Sequence, residues 1–95
     1  MLELPVSPRA LVDQVRSHLP EMVDFLKELV KAESPTDVPE SQVRARELLV
    51  SAWAGLGFRH RHVAGRRTGG HLLFAPDGRR RGAPLQLMVG HLDTV

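Results

Sequence analysis

His91 and Asp93 are the residues of this 95-residue chain whose types and spacing best suit chemistry. They follow an apolar run over 85–89 and the small residue Gly90. In extended backbone, alternate side chains point to the same side, so His91 and Asp93 are expected to face one pocket. Imidazole is a good zinc ligand, and a carboxylate beside it fixes its tautomer and raises its basicity. The pattern predicts His91 as a metal ligand and Asp93 as its orienting partner, although an isolated His-x-Asp tripeptide also fits an ordinary loop histidine.

The other candidate residues do not extend this site. His60 and His62 form a His-x-His pair between arginines, but no carboxylate lies near them in the sequence, which favours surface histidines. His71 opens a predicted strand, where a packing or edge role is expected. Ser34 precedes a proline at a helix end without an adjacent base pattern, so it is not expected to be a nucleophile.

Amphipathic helices are predicted to precede the strand that leads to this pair. The first begins at Ser7 and Pro8, and Pro20 either kinks it or separates it from a second helix over 21–32. A turn-rich connection over 34–40 follows, and then a further helix that Gly57 ends in the left-handed conformation. The apolar positions that predict these helices recur at helical spacing: Leu11, Val12, Val15, Leu19; Met22, Phe25, Leu26, Leu29, Val30; Val43, Ala45, Leu48, Leu49, Ala52, Trp53, Leu56.

Three strands are predicted in the second half of the chain. The segment 58–63 is polar and alternating, as in an edge strand, and 71–75 is a second strand. The segment 85–89 is mostly apolar, which is typical of a strand covered on both faces. Two or three helices followed by three strands predict a layered α/β domain. Its buried strand needs further covering elements, so residues 1–95 are expected to form the amino-terminal, incomplete portion of such a domain.

The composition excludes several classes of protein. The chain has no cysteine, which excludes a disulfide scaffold and a cysteine-ligated zinc finger. Charged residues and prolines interrupt residues 1–20, so no signal peptide is expected. No apolar stretch approaches the roughly 20 residues that span a bilayer. The expected setting is the cytoplasm, without a membrane partner.

The charge is divided unevenly along the chain and suggests an alternative function. Residues 1–56 hold six Lys or Arg and nine Asp or Glu, whereas residues 57–95 hold seven Arg and two Asp. Such asymmetry can mark a small nucleic-acid-binding module. The arginines, however, fall in loop-like clusters without interleaved aromatic residues, and this favours solvated loops and no nucleic-acid partner.

The string Leu-Met-Val-Gly-His-Leu-Asp-Thr-Val at 87–95 resembles the first metal-binding signature of the M20 metallopeptidases. The segment 29–35, Leu-Val-Lys-Ala-Glu-Ser-Pro, is similar to a helix end of that family, and Leu-Gly-Phe at 56–58 is similar to its helix-to-strand junction. Gly-Gly-His-Leu-Leu at 69–73 resembles the strand before the metal strand in carboxypeptidase G2-like members. The resemblance covers residues 19–95.

The resemblance implies a zinc-dependent hydrolase of carboxypeptidase or deacylase type. Two zinc ions would serve the cleavage of amide bonds in acyl-amino acids or small peptides. His91 would bind one zinc. Asp93, the other candidate catalytic-site residue, would orient the His91 imidazole. The remaining ligands and the general base have no counterparts in residues 1–95, so the resemblance implies an amino-terminal fragment that is inactive alone. A non-catalytic interaction fragment remains a further alternative.

Overall fold

A computed structural model describes residues 7–94, and it begins with two consecutive helices. Helix α1 spans Pro8–Ser17 and helix α2 spans Leu19–Lys31. The Ser7 hydroxyl accepts a hydrogen bond from Ala10 N at 3.2 Å, which confirms the predicted cap. The helices separate at His18, whose ψ of 5° is not helical, and Pro20 lies in the first turn of α2, where it displaces no helical hydrogen bond.

A 3₁₀ turn and a third helix follow the connection that begins at Ser34. The turn spans Pro39–Gln42, and helix α3 spans Val43–Trp53. Helix α3 ends three residues before the predicted terminus at Leu56. The reason is local, because Ala54 is extended with ψ 135° and Gly55 already takes a positive φ of 79°. Gly57 has a φ of 82° and leads into the first strand.

Two strands form an antiparallel hairpin after α3. Strand β1 spans Phe58–Val63 and strand β2 spans His71–Pro76, with Phe58 opposite Pro76 and Val63 opposite His71. The connection closes tightly at Gly70, where φ is 82° and an added Cβ would overlap Val63 O. Both strands lie where the sequence pattern predicts them.

Trp53 joins the end of α3 to the hairpin. Its ring stacks on Phe74 at a centroid distance of 4.8 Å and meets the edge of Phe58 at 4.7 Å. Stacked and edge-to-face pairs of this kind add to the burial of apolar area. Trp53 therefore has the packing role that its helical spacing predicts, although its side chain is only half-buried.

The predicted third strand is wrong for the described residues. Segment 85–89 belongs to no helix or strand, and Val89 is 85% exposed. A strand needs a neighbour for its backbone hydrogen bonds, and within residues 7–94 β1 and β2 pair only with each other. Segment 85–89 therefore does not pair with the hairpin, despite its apolar pattern. The observed fold is a mixed α/β arrangement of three helices and a two-stranded antiparallel sheet over the described range.

Very little apolar surface is buried. Ala45 is the one apolar residue that is fully buried in the described part of the chain, at 1% exposure. Ser34 and Gln42 are buried as well, although they are polar. Helices α1 and α2 keep much of their apolar stripe in solvent, including Leu11, Val12, Val15, Leu19, Met22, Val23, Leu26 and Val30. Across residues 7–94, no helix combines the length and the apolar character needed to cross a bilayer.

Candidate functional site

The candidate site is formed where two segments far apart in sequence pair through their backbones. Thr36 N donates to Thr94 O at 2.8 Å, and Thr94 N donates to Ser34 O at 2.7 Å. These bonds make a single parallel bridge between Pro35 and Thr94. We call the connection formed by Ser34, Pro35 and Thr36 the 34–36 loop. It holds the segment that carries His91 and Asp93 against the end of α2.

Two hydroxyl groups of the 34–36 loop strengthen this pairing in different ways. Ser34 Oγ donates to the main-chain oxygen of Leu92 at 2.8 Å, and Ser34 is 3% exposed. Thr36 Oγ1 lies 2.6 Å from Asp93 Oδ2 and 3.0 Å from Thr94 O. A hydroxyl has one proton to donate, and the shorter contact to a charged oxygen is the stronger one. Ser34 thus holds the backbone, and Thr36 holds the Asp93 side chain.

The structure places His91 beside Asp93, but His91 extends into solvent and not into the pocket that the sequence pattern predicts. His91 Nδ1 lies 3.6 Å from Asp93 Oδ1, within the range of an ion pair but longer than a good hydrogen bond. The His91 side chain is 91% exposed, whereas that of Asp93 is 29% exposed. The carboxylate therefore lies against the protein between Thr36 and His91, and the imidazole extends into solvent.

The surroundings of Asp93 favour its charged form. The hydrogen bond from the Thr36 hydroxyl is the main influence that lowers the pKa of Asp93 below its ordinary value, and His91 lowers it further. Partial desolvation opposes these effects by raising the pKa. The balance leaves a carboxylate that is ionised at neutral pH and faces the imidazole.

These two side chains fit part of a zinc site and not the whole. With Nδ1 directed toward a carboxylate, the imidazole of His91 has Nε2 left to bind a metal, which is a usual arrangement around zinc. A catalytic zinc ordinarily has three protein ligands and a water molecule. Among residues 7–94, no group of three or more His, Cys, Asp or Glu side chains is placed to hold a metal ion. The described residues supply one candidate ligand and its orienting group.

The remaining histidines lie elsewhere. His60 and His62 border a groove between α3 and β1, together with Arg44, Arg46, Glu47, Val50, Ser51 and Leu72. His62 Nε2 lies 3.1 Å from Arg46 Nη1 and 3.0 Å from Gly69 O. His60, His62 and His71 are all exposed, as expected for surface histidines.

Sequence reasoning missed Thr36 as a contributor to the site. The sequence pattern predicts only a turn at the 34–36 loop, because proline and small polar residues are typical of turns. The partners of this loop are 57 or 58 positions away along the chain, so no local pattern could reveal them. The one sequence feature near Thr36 that pointed to a site is the segment 29–35, which resembles the M20 metallopeptidases and ends one residue before Thr36.

Comparison with known proteins adds no relative. No family model matches this chain, and neither the curated proteins nor the solved structures contain a significant match. The resemblance to the M20 metallopeptidases consequently rests on the motif residues of the sequence.

Proposed function

We propose that residues 1–95 are the amino-terminal part of the catalytic domain of a zinc-dependent amidohydrolase of the M20 type. The observation that supports this most is the position of the Asp93 carboxylate, whose two oxygens face the Thr36 hydroxyl and the His91 imidazole. The proposal includes a cytoplasmic setting, which suits a chain without cysteine.

In this proposal, His91 binds one of two zinc ions through Nε2. The negative charge of Asp93, 3.6 Å from Nδ1, would favour the tautomer that carries its proton on Nδ1 and leaves Nε2 free for the metal. Bound zinc would polarise a scissile carbonyl and lower the pKa of a water molecule. The substrates are acyl-amino acids or small peptides, and the further ligands and the general base belong to a longer polypeptide.

Metal analysis of the purified 95-residue chain tests the claim that its site is partial. We expect no zinc to remain after dialysis against a weak chelator, because one imidazole cannot replace the several ligands of a protein zinc site. One equivalent of tightly held zinc would contradict the proposal of a partial site. Sequencing the gene beyond codon 95 supplies an independent test, since an in-frame continuation with carboxylate and histidine ligands is expected.

The hydrolase itself is tested in the polypeptide that carries residues 1–95 with that continuation. His91→Ala should remove one of two zinc ions and abolish hydrolysis of N-acyl-amino acids. His62→Ala is the matched control, because His62 is also an exposed histidine but lies in the groove beside α3. Equal losses in the two variants, or no loss in His91→Ala, would overturn the assignment of His91.

A further inference from the structure

Thr36 is connected to the candidate ligand through a single carboxylate. Its hydroxyl lies 2.6 Å from Asp93 Oδ2, and the other carboxylate oxygen, Oδ1, lies 3.6 Å from His91 Nδ1. The backbone of Thr36 is itself held, because its N–H donates to Thr94 O at 2.8 Å. The hydroxyl therefore approaches Asp93 from an anchored position.

We propose that Thr36 is a positioning residue for His91. By holding Asp93 Oδ2, the Thr36 hydroxyl keeps Oδ1 directed at His91 Nδ1, so that Nδ1 carries the proton and Nε2 is left to bind zinc. The role of this positioning in zinc binding rests on the proposed function. The geometric coupling from Thr36 through Asp93 to His91 is a property of the metal-free chain.

Two features make this dependence strong. The terminal torsion of an aspartate is broad, so the orientation of the carboxylate depends on the groups that hold its oxygens. A hydroxyl that donates to an ionised carboxylate makes one of the stronger hydrogen bonds in proteins and restricts that rotation. The His91 ring is 91% exposed, so the surrounding protein does little to orient it apart from Asp93. The orientation of the imidazole thus depends on the orientation of the carboxylate.

Ser34 provides a matched control from the same loop. Its hydroxyl donates to the main-chain oxygen of Leu92 and not to the Asp93 side chain. Ser34→Ala therefore weakens the pairing of the two segments and leaves the contact between Thr36 and Asp93 in place. Thr36→Val removes the hydroxyl with little change in shape, and Thr36→Ser retains it.

The test is the tautomer of His91 in the metal-free chain, measured by nitrogen-15 NMR of the imidazole at a pH where the ring is neutral. In the wild type, in Thr36→Ser and in Ser34→Ala, the Nδ1–H form should predominate. In Thr36→Val, the ratio should shift toward the mixture found in free histidine. An unchanged ratio in Thr36→Val, or an equal shift in Ser34→Ala, would overturn the positioning role.

Folding is monitored in the same samples through the amide signals of β1 and β2, which lie outside the 34–36 loop. Thr36→Ala is a second variant for the case in which valine is not accommodated. If both variants lost the hairpin signals while Thr36→Ser kept them, Thr36 would be a folding residue and the proposal would be wrong. In the zinc-loaded longer polypeptide, Thr36→Val should weaken zinc binding about tenfold. Absence of zinc binding there would refute the proposed function and leave the tautomer result standing.

Discussion

Asp93 is the residue on which the local chemistry depends. It receives the Thr36 hydroxyl on one oxygen and faces His91 with the other. It is also the most enclosed of the three, since His91 and Thr36 are exposed. A carboxylate in such a position links the 34–36 loop to the imidazole of His91.

We expect the pKa of Asp93 in the folded chain to lie below the ordinary aspartate value of about 3.9, because the Thr36 hydroxyl favours the charged form. Thr36→Val should raise this pKa toward that value, and Thr36→Ser should not. Carbon-13 titration of the Asp93 carboxyl from about pH 6 to about pH 2 measures this pKa in the wild type and in the two variants.

The same shift sets the direction of the pH dependence of stability. Because the folded pKa of Asp93 is below the unfolded one, its contribution is complete above the unfolded pKa and is lost as the pH falls through the folded pKa. The stability difference between wild type and Thr36→Val should therefore decrease as the pH falls through the folded pKa of Asp93. Identical carboxyl titrations in the two proteins would show that the hydroxyl does not act on Asp93.

At the scale of elements, the hairpin is a unit formed by residues close together in the sequence. Its two strands pair over their whole length, and Trp53 fixes the end of α3 against Phe58 and Phe74. Its connection depends on glycine, because Gly70 combines a left-handed φ with backbone contact to Val63. The hairpin is thus determined by local residues, unlike the site at the 34–36 loop.

Gly70→Ala should open the hairpin much more than Gly57→Ala. Both glycines have a φ of 82° and each lies directly before a strand, so both substitutions carry a left-handed strain of about 1–2 kcal/mol. Only at Gly70 would the new Cβ also overlap backbone, whereas at Gly57 it would meet no atom within 4 Å.

Hydrogen exchange of the β1 and β2 amides measures the local opening. Gly57→Ala should accelerate it about tenfold, which corresponds to roughly 1.4 kcal/mol. Gly70→Ala should accelerate it well beyond that factor or abolish protection. Equal effects of the two substitutions would mean that φ strain alone governs both positions. That result would contradict the expected contribution of the backbone overlap at Gly70.

At the scale of the whole molecule, apolar burial over residues 7–94 is too small for a conventional core. The radius of gyration is 16.0 Å, whereas a compact chain of this length has about 12 Å. The apolar residues of segment 85–89 remain mostly exposed: Leu85 66%, Leu87 74%, Met88 82% and Val89 85%. Exposed apolar surface of this extent is typical of a segment that packs against another protein surface.

The chain alone should therefore unfold with low cooperativity. A normal domain of this length has a heat-capacity change of about 1.1–1.4 kcal/mol/K on unfolding, which scales with the apolar surface that becomes exposed. We expect a value well below that range by calorimetry, together with strong binding of a hydrophobic dye before heating. A sharp two-state transition with a normal heat-capacity change and no dye binding would contradict this expectation.

The limits of prediction follow from the range of the interactions. The breaks between α1, α2 and α3 follow from proline, and both hairpin strands follow from alternation and turn residues. The prediction of a strand at 85–89 is wrong for this fold. Apolar content indicates that a segment is compatible with a sheet, but it does not indicate that another strand pairs with that segment. Thr36 was missed because its partner Asp93 is 57 positions away.

The sequence by itself determines the helices, the hairpin and the His91–Asp93 pair, because each depends on residues a few positions apart. Only the tertiary structure decides that the 34–36 loop meets residues 92–94, that Thr36 binds the Asp93 carboxylate, and that segment 85–89 lies exposed. Those outcomes depend on contacts between distant parts of the chain, which spacing and composition do not encode. The physical reason is that hydrogen-bond partners are chosen by proximity in space, and that proximity exists only once the chain has folded.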